Sequence, residues 1–133
     1  MRIFSILLFI VFMYPISAFA CRCQEQSIQI NYERSSMVVY ANVQDFIAAP
    51  SGEGGTAILA INHWWKSSSP KKIVVNSLTN CSQNFEIGGS YLLFLNMEPS
   101  GLYYTDRCLG NKDLGYTEAY SKVLSKLKEN GNK

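Results

Sequence analysis

Phe85-Glu86-Ile87-Gly88-Gly89-Ser90-Tyr91-Leu92-Leu93-Phe94-Leu95 is the run that decides how this chain folds. Gly88, Gly89 and Ser90 turn the chain, and an unbroken apolar stretch follows from Tyr91 to Leu95. A strand with one face in water alternates polar and apolar residues. One without alternation is covered on both faces and belongs inside a core.

Strand candidates lie on both sides of it. Residues 37–43, rich in β-branched and aromatic side chains, predict a first strand and residues 56–66 a second. Residues 72–77 predict a third, continuing through Thr79 and Asn80 to Cys81, and residues 102–105 a short fifth that ends near Cys108. Residues 47–55, with Pro50 and Gly52-Glu53-Gly54-Gly55, read as a flexible hairpin connection. A phosphate-binding loop would need a following helix and a Lys-Ser or Lys-Thr pair, and neither is there. Residues 24–36 are polar; Ser27-Ile28-Gln29-Ile30 alternates as a strand would, but Tyr32-Glu33-Arg34 before two serines favours a short helix. Tyr116, Tyr120, Val123, Leu124 and Leu127 recur at helical spacing and predict an amphipathic helix over residues 117–128. Five strands in long hairpins with helices at the edges fit a mainly β, five-stranded barrel of the OB type. A sandwich would want about seven strands.

The N-terminus reads as an address. Met1-Arg2 is a short basic start, residues 3–16 are almost wholly apolar, and Ala18 and Ala20 stand at the −3 and −1 positions of a signal-peptidase site. That run is shorter than the roughly 20 residues needed to span a bilayer. Cleavage of residues 1–20 leaves residues 21–133 as a single domain with Cys21 as its first residue. Lipid attachment to Cys21 is the other route, but Ala18 and Phe19 stand where such sites usually carry Leu and a small residue. The expected product is exported, extracellular or periplasmic, free of the membrane after cleavage, and a monomer.

Four cysteines, Cys21, Cys23, Cys81 and Cys108, all fall in the exported part. An even number in an exported chain implies disulfides, and four allow three pairings. We expect the sulfurs of Cys21 and Cys23 to point to opposite sides of an extended tripeptide, so that each reaches a distant partner. Such long loops are stabilised by about 4 kcal/mol each in the chain-entropy model, less than additively where both tie down one tripeptide. Zinc ligation by the four is disfavoured, because a C-x-C and two isolated cysteines lack the paired C-x-x-C spacing of structural sites.

Charge and composition narrow the function classes. The chain carries 12 basic and 10 acidic residues, and only Arg2 lies in the leader, so the exported part is nearly neutral. Nucleic-acid binding, which needs a concentrated basic face, is not expected. Lys66, Lys71 and Lys72 are the densest basic group and read as a solvated turn. His63, the single histidine, has no base partner or metal cluster beside it in sequence, so no enzyme activity and no resident cofactor is expected. Asp106 and Arg107 read as a local ion pair or a solvated turn. Trp64 and Trp65 offer a stacking platform for sugars or bases, although one core indole and one rim indole is the commoner arrangement. Asn80-Cys81-Ser82 matches a glycosylation sequon, with a cysteine at its centre.

Taken together, Cys21-x-Cys23 after the leader, the strand through Tyr40 to Val43, Trp65-Lys66, Cys81, Phe85-x-x-Gly88-x-x-Tyr91-Leu92-Leu93-Phe94 and Cys108 resemble the N-terminal domain of the tissue inhibitors of metalloproteinases, within the netrin-like (NTR) superfamily. The likeness covers essentially all of residues 21–133. It implies an OB-fold barrel with Cys21 joined to Cys81 and Cys23 to Cys108. It further implies a metalloendopeptidase inhibitor in which the free amine and carbonyl oxygen of Cys21 chelate the catalytic zinc of a target protease. Arg22 would face the specificity pocket, Cys23 and Gln24 would follow the cleft, and Thr79 and Asn80 would line the same ridge. The zinc would be the protease's. The family's further disulfide and its cysteine-rich second domain have no counterpart here, and Arg22 stands where the animal inhibitors carry a small or hydroxylated residue. The other function open to such a barrel is a non-inhibitory secreted module that binds a protein or a glycan.

Overall fold

The computed structural model describes residues 21–68 and 70–131, with the side chains of 114–117 set aside. The predicted leader over residues 1–20 and the Tyr116 contribution to the helical stripe lie outside the described residues. No helix among the described residues is long and apolar enough to cross a membrane.

Six strands form one sheet: β1 (Met37–Ala48), β2 (Gly55–Lys66), β3 (Lys72–Ser77), β4 (Ser90–Met97), β5 (Tyr103–Tyr104) and β6 (Lys112–Asp113). Their order is β1-β2-β3-β5-β4, and β4 pairs back onto β1, so five strands close a barrel. Every ladder is antiparallel except β3–β5, where Val75 and Asn76 run parallel to Tyr103 and Tyr104. β6 adds two residues to β4 beyond the closed ring, opposite Tyr91 and Leu92. Closure depends on β1. Its ladder to β2 shifts register between Val38 and Val39, Tyr40 and Ala41, and Val43 and Asp45. Bulges of this kind bend and twist a strand, which lets residues 37–42 also pair with β4.

β4 meets the expectation of a strand buried on both faces, and the reason is two separate cores. Tyr91, Leu93 and Leu95 point into the barrel with Met37, Val39, Val43, Leu59 and Val75. Leu92 and Phe94 point outward into a second cluster with Val38, Trp65 and Leu124. Two helices cover that second cluster: α1 (Ile28–Arg34) and α2 (Leu114–Gly131). Ser27 caps α1 by accepting from the Ile30 amide at 3.3 Å. At the other end Lys66 Nζ donates to the Tyr32 and Glu33 carbonyls at 2.7 and 3.1 Å, which satisfies orphan acceptors of the last turn. α2 seats Leu124 fully buried, but Val123, expected in the same stripe, stands 40% exposed. The apolar stripe is narrower than its spacing suggests because one buried turn suffices to cover Phe94 and Trp65.

Other boundaries differ from expectation. β1 and β2 run to Ala48 and from Gly55, so the predicted flexible connection shrinks to a hairpin over 49–54, closed by the Ala49 amide on the Gly54 carbonyl at 2.9 Å. Gly54, at φ 69°, sits where a Cβ would strike the Ser77 carbonyl; only glycine fits. β3 stops at Ser77 rather than continuing to Cys81. There the buried Ser77 hydroxyl donates to the Thr105 carbonyl at 2.7 Å and accepts the Gln83 amide at 2.8 Å. Those bonds pull the chain out of the ladder.

Candidate functional site

Residues 78–81 leave the barrel as a short exposed loop, turned by the Ser82 amide on the Thr79 carbonyl at 2.9 Å. Thr79 Oγ1 also accepts from the Cys81 amide at 3.2 Å. A second loop runs beside it, where a 3-10 turn over Arg107–Leu109 is capped by Asp106 Oδ1 accepting from the Cys108 amide at 2.7 Å. The Arg107 amide donates to the Cys81 carbonyl at 2.8 Å, so the two loops are joined through their backbones. Asp106 and Arg107 thus have distinct tasks: Asp106 caps, while an Arg107 Nη2–H reaches the Asn80 carbonyl at 3.5 Å.

The N-terminal segment is pinned to this pair of loops. One disulfide joins Cys21 to Cys81 with their Cα atoms 5.1 Å apart, and the other joins Cys23 to Cys108 at 4.9 Å. These are the pairings implied by the resemblance. The expectation that the two sulfurs of the C-x-C diverge is corrected. Side chains two residues apart on extended backbone share a face, and Cys21 Sγ lies 3.9 Å from both Cys23 Sγ and Cys108 Sγ. All four sulfurs fall within 4.8 Å of one another. The tripeptide reaches two partners because those partners sit side by side.

Arg22, Cys23, Gln24, Thr79 and Asn80 are exposed and Cys21 is half-buried. The Cys21–Cys81 bond sets Cys21 beside the Thr79-Asn80 loop, so the residues of the predicted ridge come together at one end of the barrel. The sequence reading missed what holds this end rigid. Asn111 donates to Gln83 Oε1 at 3.1 Å, Thr105 Oγ1 at 2.8 Å and the Asp106 carbonyl at 3.1 Å, and its own oxygen accepts the Phe94 amide at 2.9 Å. Gly110, at φ 97°, lets the loop pack on Asn31 of α1, where a Cβ would collide with the Asn31 amide. No local pattern announces Asn111, since Gln83 and Phe94 lie 28 and 17 residues away.

A second surface feature lies on other residues. Trp65 is 3% exposed and Trp64 41%, the expected split of core and rim. Trp64 borders a groove of about 550 Å³ with Tyr32, Glu33, Lys66 and Lys128. Lys128 Nζ stands 5.8 Å over the Trp64 ring and Lys66 Nζ 5.1 Å over Tyr32. Burial pushes the Lys66 ammonium below its ordinary value, with Glu33 opposing, and pushes the Tyr32 phenol up. His63 is exposed on β2 and meets Trp65 edge-on at 4.7 Å.

No protein-family model matches the chain, and no curated protein matches it. What its topology and paired cysteines establish is a small disulfide-bonded β-barrel that resembles the netrin-like superfamily and its inhibitor-type barrels, in the form that an oxidising compartment allows.

Proposed function

We propose that the chain is a secreted inhibitor of zinc metalloendopeptidases that acts through the N-terminal amine and carbonyl of Cys21 once residues 1–20 are removed. The observation that supports this most is the double anchoring of the 21–24 segment, half-buried at Cys21 and exposed from Arg22 to Gln24, to the loops carrying Cys81 and Cys108. A catalytic zinc keeps one coordination position open for water. A neutral amine and its own carbonyl oxygen form a five-membered chelate that fills it. The α-amine has an ordinary pKa of about 7.7–8.0, so binding near neutral pH displaces a proton at modest cost. Two disulfides remove most of the ordering cost that a loose terminus would incur on docking. Arg22 then enters the pocket beside the zinc, and Gln24, Thr79 and Asn80 extend the contact. A long cation suits an apolar pocket badly, so proteases with acidic or open pockets are the expected targets.

The test compares the protein beginning at Cys21 with one carrying a single extra Ala before it, against a panel of zinc proteases. Inhibition by the first and its loss in the second supports chelation by the free amine. Equal inhibition by both, or none by either, overturns it.

A glycan-binding module is the second reading, favoured by the exposed Trp64 in its lysine-flanked groove. Under that reading a sugar quenches Trp64 emission, Trp64→Ala abolishes binding, and the Ala extension has no effect.

A further inference from the structure

The Cys23–Cys108 disulfide is more than a staple in its setting. Cys23 is exposed, and both sulfur-bearing residues line a cleft of about 240 Å³ together with Gln24, Glu25, Arg107 and Lys112. Two cations against one carboxylate make the cleft a net positive recess with a disulfide in its wall. Behind that disulfide, at 3.9 Å from each of its sulfurs, lies Cys21 Sγ, already bonded to Cys81.

We propose that this cleft is a modification site for a small thiol bearing carboxylates, and that thiolation there drives a disulfide exchange that unpins Cys21 from Cys81. The incoming thiolate attacks the exposed Cys23 sulfur. A bond forms between the thiol and Cys23, the Cys23–Cys108 bond breaks, and its electron pair leaves on Cys108 as a thiolate. Positive charge beside a thiolate stabilises it, and Arg107 is its neighbour in the cleft. The Cys108 thiolate then attacks Cys21 Sγ, forming Cys21–Cys108 and expelling the Cys81 thiolate, which takes up the proton lost by the incoming thiol. Two disulfides and one thiol enter and two disulfides and one thiol result, so no oxidant or reductant is consumed. The carboxylates of the thiol pair with Arg107 and Lys112.

Cys21 thereby moves from the Thr79-Asn80 loop to the Cys108 turn. Resting on the inhibitor reading, this frees Cys21 from its covalent tie to the Thr79-Asn80 loop and makes thiolation an off-switch. The exchange itself stands or falls without that reading.

The experiment treats the exported, oxidised protein with glutathione as an acidic thiol or with cysteamine as a cationic one, at matched thiolate concentration. Free thiols are then trapped with a maleimide and the linkages mapped by peptide mass. The expected product carries glutathione on Cys23, a Cys21–Cys108 link and maleimide on Cys81. Electrostatic attraction makes glutathione react about tenfold faster than cysteamine. Arg107→Ala, or Lys112→Ala should the first not fold by circular dichroism, brings the two rates within about twofold. An unlabelled Cys81 in protein thiolated at Cys23, equal rates for the two thiols in the unmutated protein, or no reaction at all overturns the proposal. None of these readouts involves a protease, so failure here and failure of the inhibitor reading are separate results.

Discussion

The side-chain oxygen of Asn111 accepts the backbone amide of Phe94 at 2.9 Å while its nitrogen donates to Thr105 Oγ1 at 2.8 Å. Phe94 lies in β4 beyond the two residues that β6 pairs, Tyr91 and Leu92. One side chain thus completes the hydrogen bonding of the central strand and ties it to the loop that holds Cys108.

Asn111→Ala leaves the Phe94 amide without its side-chain acceptor and takes one donor from Thr105 Oγ1, which still donates to the Phe94 carbonyl at 2.9 Å. An unsatisfied buried group costs about 1–3 kcal/mol, and the expected loss is about 2 kcal/mol. Urea unfolding with the disulfides intact measures it. A loss under about 0.5 kcal/mol, the range of an ordinary surface change, would show that water replaces the amide.

Replacing Cys23 and Cys108 together by serine opens a span of 85 residues, and replacing Cys21 and Cys81 opens one of 60. With the other bond in place the effective loop is about 30 residues, so each pair should lower stability by about 3.5 kcal/mol in the chain-entropy model. Both bonds hold the same tripeptide, so the second to go opens the full loop, and removing all four cysteines should cost more than the two losses added. Strict additivity in denaturant titrations would mean that the two loops fold independently of each other.

Leu124 and Val123 are neighbours with opposite fates. Leu124→Ala empties the space over Trp65 and Phe94 and should cost about 3 kcal/mol. Val123→Ala, on the exposed face, should stay within about 0.5 kcal/mol. Thermal unfolding of the two variants decides it, and comparable losses would place both on the buried side of α2.

Tyr32 donates to the Trp65 carbonyl at 3.1 Å, and burial raises its phenol above the ordinary 10.0. The folded protein therefore keeps a proton that the unfolded chain releases, so this contribution is fully present below pH 10 and is lost as pH climbs through the raised folded value. Lys66 changes in the opposite sense, since its ammonium is held below the ordinary 10.5 and folding gains as that proton leaves. The clean readout is a difference. The stability advantage of the unmutated protein over Tyr32→Phe should shrink as pH rises above 10, and an advantage that grows would contradict the assignment.

Much of the fold is legible along the chain because burial leaves a local imprint. The continuous apolar run of β4 marks a strand covered twice, and the Tyr120–Leu124 spacing marks a helix face. The C-x-C and the two isolated cysteines mark where the backbone is stapled. Thr79 and Asn80, which the resemblance names, directly precede a cysteine. Less legible are the places where short elements make long-range bonds. β5 is a two-residue strand, too short to show alternation, yet it links β3 to β4 in the ring that the β1–β4 pairing closes. β3 ends at Ser77 because its hydroxyl bonds Thr105, far along the chain, as well as nearby Gln83.

The amino-acid sequence alone determined that this protein is a mainly β, cysteine-stapled domain with an apolar central strand, because periodicity and composition record which faces avoid water. Only the tertiary structure decided what those faces meet. The bulges of β1 let one strand serve two ladders, Asn111 ties β4 to the segments at Gln83 and at Thr105–Asp106, and four sulfurs come within reach of one another at the barrel's end. Each of these is a coincidence of distant segments, set by chain closure rather than by any local preference.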